Sequence, residues 1–381
     1  MKISFFLDVK LTKINDKYYT TGAANYEYFN NHKINSQNEL IIFCREEKIK
    51  NENNLSISSG ENIEIITIKS YKELLNKATR KEIIKIINKT QIHIVKMPTI
   101  IGIFVCHLLK KYKKNYIIEM VGDPYDSLKY KGGIIPKLIA PIIKILNKYY
   151  IKNAKIVSYV SNEYLQKKYP TKGQKFAISD VLIAKNNEEI IKNRIQKINQ
   201  QTSKIKIGLI GSLDVDYKGH LAAIKAINIL KEKYPYIELH FLGKGNKERW
   251  ENIINQNKLN SLVYFDGIRP HEIINEWFDD IDIYIIPSLT EGMPRSLIEA
   301  MSRGCQCIGT NVGGIPELLD KDMLIEKKAY KELASKIDLL LSNKKMMIKY
   351  SKRNIEKSNE FQIEKINKKK EKYYNEIMKE L

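Results

Sequence analysis

The sequence predicts an α/β protein with two Rossmann-like, doubly wound domains facing a cleft. Three observations predict it. The chain has 381 residues, too long for one simple core and suited to two domains of roughly 150 residues each. Short Ile-rich apolar runs alternate with segments of helical periodicity, the pattern of a buried parallel sheet flanked by helices. A polar stretch rich in Asn, Gln and Lys, Ala184–Lys204, separates two such series. The expected units are therefore residues 1–183, a linker or exposed helix over 184–204, residues 205–360, and a basic helical tail over 361–381.

In the first half, Lys2–Val9 reads as a strand, followed by a loop to Gly22 and a helix from Ala23. Gly22 reads either as a plain turn residue or as a point where backbone approaches a phosphate or sugar. Further strands are expected at Leu40–Cys44, Ile63–Ile68, Ile92–Lys96 and Tyr116–Val121, with helices at Tyr71–Ile87 and Ile100–Lys111. Lys48–Gly60, rich in Asn and Ser, reads as a surface loop. The strand ending at Val121 runs into Gly122-Asp123-Pro124, where Asp123 reads as a polar group at the cleft or as an Asx turn before proline. Gly133–Ala154 carries a long series of Ile and Leu broken by Lys137, Lys144 and Lys148, with Lys129, Lys131, Lys152 and Lys155 nearby. That pattern suits a basic amphipathic helix on a membrane or a helix packed on the sheet. Ile156–Val160 is a strand, and Ser161-Asn162 caps a following helix.

In the second half, strand Ile205–Ile210 leads to Gly211-Ser212-Leu213 and then Lys218-Gly219-His220 ahead of helix Leu221–Tyr234. A Lys just before a helix N-terminus is placed to neutralise a diphosphate. Strand Ile237–Leu242 ends in Gly243-Lys244-Gly245, and Val263–Asp266 ends in Gly267-Ile268-Arg269. A GxG without a third glycine is weak for dinucleotide binding. A helix His271–Phe278 precedes strand Ile281–Pro287. A polar turn to Gly292 then opens helix Ser296–Gly304, strand Cys307–Thr310 and the turn Gly313-Gly314. Helices at Ala329–Leu341 and Lys344–Lys357 precede the tail Ile363–Leu381.

The formal charge of +21 raises nucleic acid or anionic lipid as partners. No Arg-rich block, zinc-finger spacing or RNP-like aromatic motif supports nucleic acid. The opening residues do not read as a signal peptide, lacking a charged n-region with an apolar core, and no charge-free span of about 18 apolar residues reads as a membrane crossing. Cys44, Cys106, Cys305 and Cys307 form no CxxC pair and read as buried thiols in a reducing cytoplasm.

The most informative chemistry lies around the turn after Pro287. Glu291 stands in the loop and Glu299 in the first turns of the helix, so both can face a pocket at the helix N-terminus. The backbone N–H groups there lack carbonyl partners and attract anionic and polar oxygens. A ligand with both negative charge and hydroxyl groups, such as a nucleotide sugar, suits that combination.

Glu291-Gly292-x-Pro294 with Glu299, then Gly304 and Gly313-Gly314-Ile315-Pro316-Glu317, resembles the retaining glycosyltransferases of group 1, or family 4, which have the GT-B architecture. The resemblance implies sugar transfer from a nucleoside diphosphate, a UDP-sugar by preference, to an acceptor hydroxyl, without a cofactor or obligatory metal. Glu291 would contact the donor sugar, with Gly292, Met293, Pro294, Arg295 and Leu297 around it, and Glu299 would hold the ribose hydroxyls. Lys218 would meet the diphosphate, Gly22 would face it across the cleft, and Arg269 would lie near the base. Ser212 stands where the family usually has Arg, so Lys244, Arg295 or a residue from elsewhere would have to compensate. Asp123 is the acceptor-side candidate, although Gly122 replaces the family's usual His. The terminal helix would cross back onto the first domain. A glycan or lipid-linked acceptor, polysaccharide assembly and a peripheral position at the inner membrane face follow as expectations. An epimerase or hydrolase of the same fold, or a non-catalytic nucleotide-sugar-binding module, remains the alternative.

Overall fold

The computed structural model describes residues 1–22, 24–35, 37–48, 55–130, 133–185, 188–200, 204–269 and 273–380. The expected helix start at His271 and the charge at Lys131 lie outside the described residues.

The first strand, β1 (Lys2–Ile14), runs past Val9 and returns as β2 (Lys17–Thr20). The stretch read as a loop is thus largely a hairpin. Asn15 and Asp16 both take positive φ, 44° and 61°, as a two-residue turn between twisted strands requires, and Asn and Asp tolerate that region. There follow α1 (Tyr26–Asn30), β3 (Glu39–Glu46), β4 (Ser56–Ile57), β5 (Ile63–Ile68), α2 (Lys77–Lys89), β6 (Ile92–Met97), α3 (Ile100–Lys111) and β7 (Ile117–Met120). Next come α4 (Pro124–Lys129), α5 (Ile134–Asn153), β8 (Ile156–Tyr159), α6 (Tyr164–Lys168) and β9 (Gln174–Ala177). The parallel order is β5-β3-β1-β6-β7-β8-β9, with β2 and β4 added antiparallel. The polar edge strand β9 has no apolar alternation and gave no signal in the sequence.

Much of the stretch expected as a linker is α7 (Glu188–Gln200), docked on the second domain. Its Arg194, 4% exposed, donates to the carbonyls of Phe278 at 2.8 Å, Ile281 at 2.5 Å and Arg303 at 3.1 Å. One guanidinium therefore bonds carbonyls at two helix ends, sharing those of Phe278 and Ile281 with the weaker donor Cys305 Sγ.

The second domain contains β10 (Ile205–Ile210), α8 (His220–Leu230), β11 (Ile237–Leu242), α9 (Glu248–Gln256), β12 (Val263–Gly267), α10 (Ile274–Asp280) and β13 (Ile283–Ile286). It continues with α11 (Arg295–Ser302), β14 (Gln306–Thr310), β15 (Leu324–Ile325), α12 (Tyr330–Leu341) and α13 (Lys344–Ser358). All pairs are parallel in the order β12-β11-β10-β13-β14-β15. β13 and β14 are buried throughout, which is why their sequences are apolar runs rather than alternations. The order reverses between β10 and β13, so the loops leaving their carboxyl ends part and open a crevice.

The chain passes between domains at Ile183 and again at Phe361–Ile363. The two crossings are joined by Ile183 N–H to Phe361 O and Ile363 N–H to Ile183 O, both 3.1 Å. The last helix, α14 (Ile363–Lys379), lies on the first domain, where Tyr373 and Ile377 share a core with Phe5, Ile94 and Ile156. Tyr374 Oη donates to Asn31 O at 2.7 Å.

Candidate active site

The crevice between β10 and β13 is closed at its base by two glycines. Gly219 has φ +85°, and a Cβ there would stand 2.3 Å from Pro287 O, so only glycine lets the loop after β10 rest on the end of β13. A Cβ on Gly211 would stand 2.8 Å from Lys218 Cγ, so the lysine's aliphatic stem lies over bare backbone. The two loops are also joined by Leu289 N–H donating to Tyr217 O at 2.7 Å. This arrangement delivers Lys218 Nζ to Glu291 Oε1 at 2.8 Å, and Ser288 Oγ donates to the same oxygen at 2.7 Å. Burial works against the charge on Lys218, but the adjacent Glu291 carboxylate outweighs it and raises the ammonium pKa. Lys218 is therefore a firmly charged cation at the mouth of the switch point.

The loop carrying Glu291 is held between two layers of backbone. A Cβ on Gly313 would stand 1.9 Å from Glu291 O, and one on Gly314 2.4 Å from Gly292 O. Gly314 N–H donates to that same Gly292 O at 2.8 Å. On the other side, a Cβ on Gly292 would stand 2.5 Å from Val121 O in the first domain. Three glycines thus allow a contact that runs from the turn after β14, through the Glu291 loop, to the end of β7.

The other expected site residues fall into distinct groups. Met293 and Leu297 are buried in the apolar core and support the loop from below. Pro294 precedes α11, Arg295 is its exposed first residue, and Glu299 is half-buried one turn further on. Ser212 Oγ accepts from Asp214 N–H at 3.3 Å. Lys244 has an exposed side chain, and its carbonyl accepts from Leu213 N–H at 2.8 Å, which sets it beside the β10 loop. Arg269 is exposed beyond β12, two strands from β10 and so on the order of 10 Å away across the sheet. Gly22 lies after β2, its N–H donating to Thr20 Oγ1 at 3.0 Å.

Asp123 is the N-cap of α4, accepting from Tyr125 N–H at 3.0 Å, so the Asx-turn reading describes its local geometry. Its carboxylate also accepts from Tyr164 Oη at 2.9 Å and Tyr169 Oη at 2.6 Å, and pairs with Lys168. Burial pushes its pKa up, but Lys168 and the two phenols outweigh burial and hold it below the usual range. A carboxylate so occupied is suited to holding α4 and α6 together rather than to taking a proton.

Two residues with cross-loop roles were not singled out by sequence reasoning for those roles. Ser288 was visible only as part of a polar turn. Glu317 was read as part of a motif, yet its carboxylate reaches the other domain. It accepts from the N–H groups of Asn162 at 2.6 Å, Glu163 at 3.1 Å and Tyr164 at 2.8 Å, across the start of α6. A pocket with mixed polar and apolar lining also opens on the first domain beside α14, where Lys96 Nζ donates to Tyr28 Oη at 2.6 Å and His32 meets Glu119 at 3.3 Å. No sequence motif marked it, because its members come from α1, β6, β7, β8, the segment after β9 and α14.

Residues 204–343 match the family described as Glycosyl transferases group 1. Protein CapJ of Staphylococcus aureus is 32% identical to this chain over 378 residues, covering 93% of each. The chain belongs to the group 1 glycosyltransferases. The amylovoran biosynthesis glycosyltransferase AmsK of Erwinia amylovora is 34% identical over 113 residues, covering 28% of each chain. Among solved structures, sucrose-phosphate synthase from Thermosynechococcus elongatus aligns over 100% of both chains with TM-score 0.69 and 15% identity. Anabaena Alr3699/HepE in complex with UDP-glucose aligns equally fully, with TM-score 0.70 and 15% identity. At that identity they speak to the fold, which is the GT-B arrangement of this glycosyltransferase. As a member of this family the protein is a hexosyltransferase-type enzyme.

Proposed function

We propose that the enzyme transfers a hexose, with retention of anomeric configuration, from a UDP-sugar to a hydroxyl of a glycan or lipid-linked acceptor in cell-surface polysaccharide assembly. The carrying observation is the Lys218–Glu291 pair at the switch point of the second sheet, facing the end of β7. Capsule-type relatives favour the polysaccharide setting, and a UDP-glucose-bound relative of the same fold favours the base.

On this reading Lys218 leaves Glu291 for the diphosphate, and Glu291 accepts hydrogen bonds from hydroxyls of the donor sugar. The anomeric C–O bond breaks with its electron pair passing to the β-phosphate oxygen, where Lys218 and the backbone N–H groups ahead of α11 stabilise the charge. The acceptor oxygen bonds the anomeric carbon from the same face, and its proton passes to the departing phosphate. Glu299 holds the ribose. The contact of Gly292 with Val121 closes the cleft over the reacting atoms and keeps water from competing. Charge neutralisation by Lys218 and backbone is the scheme's electrostatic element, and it calls on no metal. The acceptor enters from the first domain. A cytoplasmic location fits the nucleotide sugar, and a lipid-linked acceptor calls for a protein able to rest on the bilayer, for which α5 supplies a surface.

The test is a thermal-shift screen of nucleoside-diphosphate sugars, followed by turnover with the stabilising donor and by NMR of the product's anomeric proton. A retained α-linkage lost with Glu291→Ala supports the proposal. Donor hydrolysed or epimerised without any acceptor, donor bound but never turned over, or an inverted product each overturns it.

A further inference from the structure

The helix α5 packs by one narrow stripe and leaves a wide apolar face uncovered. Ala140, Asn147, Tyr150 and Ile151 are the buried side. Ile134, Ile135, Leu138, Ile142 and Ile145 are between 59% and 76% exposed. At the helical period those five fall within an arc of roughly 100° along a helix about 30 Å long. Isolated exposed aliphatics are ordinary, but five on one face of one helix form a contiguous patch that marks a docking surface.

Charge identifies the occupant. The helix contains Lys137, Lys144, Lys148 and Lys152 and no acidic residue. By the same helical period these lysines form a stripe along one border of the apolar face. At the far end, Lys110 from α3 lies 4.0 Å from the centroid of the Tyr149 ring, which brings a second basic element alongside. An apolar band with a cationic border matches the acyl and headgroup layers of an anionic bilayer. A second copy would set one all-cationic helix against another. Among the described residues no helix is long and apolar enough to cross a membrane, so the contact is in-plane.

We propose that α5 docks flat on an anionic lipid bilayer and so presents the cleft to acceptors carried in that membrane. The connection to the site is short. α4 packs against α5 and begins at Asp123, adjoining the Val121–Gly122 segment that Gly292 touches. At its other end Tyr130 meets Lys327 of the second domain at 3.3 Å, so both lobes meet at this edge. Docking stands on the surface alone, whereas the lipid-borne acceptor rests on the transfer reading above.

The test is co-sedimentation of the full chain with vesicles of phosphatidylglycerol or of phosphatidylcholine, together with turnover of the donor on a water-soluble acceptor. The wild type is expected to bind phosphatidylglycerol at least roughly tenfold better than phosphatidylcholine, with high salt reducing the difference. The Leu138→Glu/Ile142→Glu variant is expected to lose at least tenfold in vesicle binding while keeping its melting temperature and its turnover of the soluble acceptor. Equal binding to both lipids, or unchanged binding by the variant, overturns the proposal. So does a wild-type dimer by light scattering that the same variant makes monomeric, since a second copy would then cover the face. Failure of transfer with vesicle binding intact would remove the acceptor reading and leave docking standing.

Discussion

Replacing Glu291 by Gln should separate the two jobs assigned to the Lys218–Glu291 pair. Lys218 Nζ is held at 2.8 Å by a carboxylate whose side chain is 10% exposed, with the lysine itself at 24%. Such a pair lies between the surface case, about 0–1 kcal/mol, and the buried case, where removing one partner costs about 3–5 kcal/mol. A middle value of about 2 kcal/mol corresponds to roughly thirtyfold in an equilibrium constant. If Lys218 must leave Glu291 to meet the diphosphate, UDP alone should bind Glu291→Gln more tightly than wild type, by up to about thirtyfold. Transfer should nevertheless fall by about 10² to 10³, since the contact with the sugar is lost where charge develops. Lys218→Met should weaken UDP and slow transfer together. Isothermal calorimetry gives the first quantity and a UDP-release assay the second. The raised Lys218 pKa means that the pair's contribution is complete below the unfolded value of about 10.4 and fades only as pH rises through the folded value. Assays near neutral pH therefore see it intact. A Gln variant whose UDP affinity drops in step with Lys218→Met would refute the reasoning, because Glu291 would then be supporting Lys218 rather than competing for it.

Gly292→Ala places a methyl 2.5 Å from Val121 O of the other domain; donor binding should persist while turnover falls about 10- to 100-fold, and wild-type turnover would show that this contact is not part of the working state. Arg194→Ala removes the bonds to the carbonyls of Phe278, Ile281 and Arg303, leaves only the weak donor Cys305 Sγ at the first two, and should cost about 1–3 kcal/mol in urea unfolding; a loss well under about 1 kcal/mol would mean that water replaces the guanidinium at little cost. Burial holds the pKa of His93 and of His220 down to about 4, below the unfolded value of about 6.5. Unfolded chains therefore take up these protons first, and stability is lost as pH falls from about 6.5 to about 4, by about 3 kcal/mol per histidine in full. Denaturant melts at stepped pH, with His93→Gln as the comparison, should show a shallower acid loss in the variant; identical slopes would exclude His93 as a source.

The strands were legible where burial is complete. Ile283–Ile286 and the run after Cys305 admit no other placement than the centre of a sheet, and the loops following such strands meet at the crevice. Lys218 and Glu291 were legible for the same reason, since both stand immediately beyond buried strands. What escaped were features made by contacts distant in sequence. Glu317 looks like any loop acid until α6 arrives from 153 residues away, and Arg194 looks like one more cation in a polar stretch. Asp123 had two local readings, and the tyrosines and lysine that occupy it lie more than 40 residues further on. The Asn15-Asp16 hairpin is a different case: its turn residues were on view, but the polar strand after them lacks the apolar alternation that would have identified it.

The same pair bears on why one lysine could serve where the family usually has a second cation at position 212. Ser212 contributes no charge, and its hydroxyl is turned to the Asp214 N–H. With Lys218 paired to Glu291, its charge is already partly met before any anion arrives. A free phosphate or UDP must separate the pair and leave Glu291 without its cation. A nucleotide sugar supplies both exchanges at once, phosphate oxygens to Lys218 and sugar hydroxyls to Glu291, so the separation costs it least. On this account the pair discriminates against product as well as selecting donor, and the ratio of UDP-sugar to UDP affinity should be larger in the wild type than in Glu291→Gln. An arginine at 212 would raise the affinity for both ligands and blunt that difference, which gives the serine a physical rationale beyond mere loss.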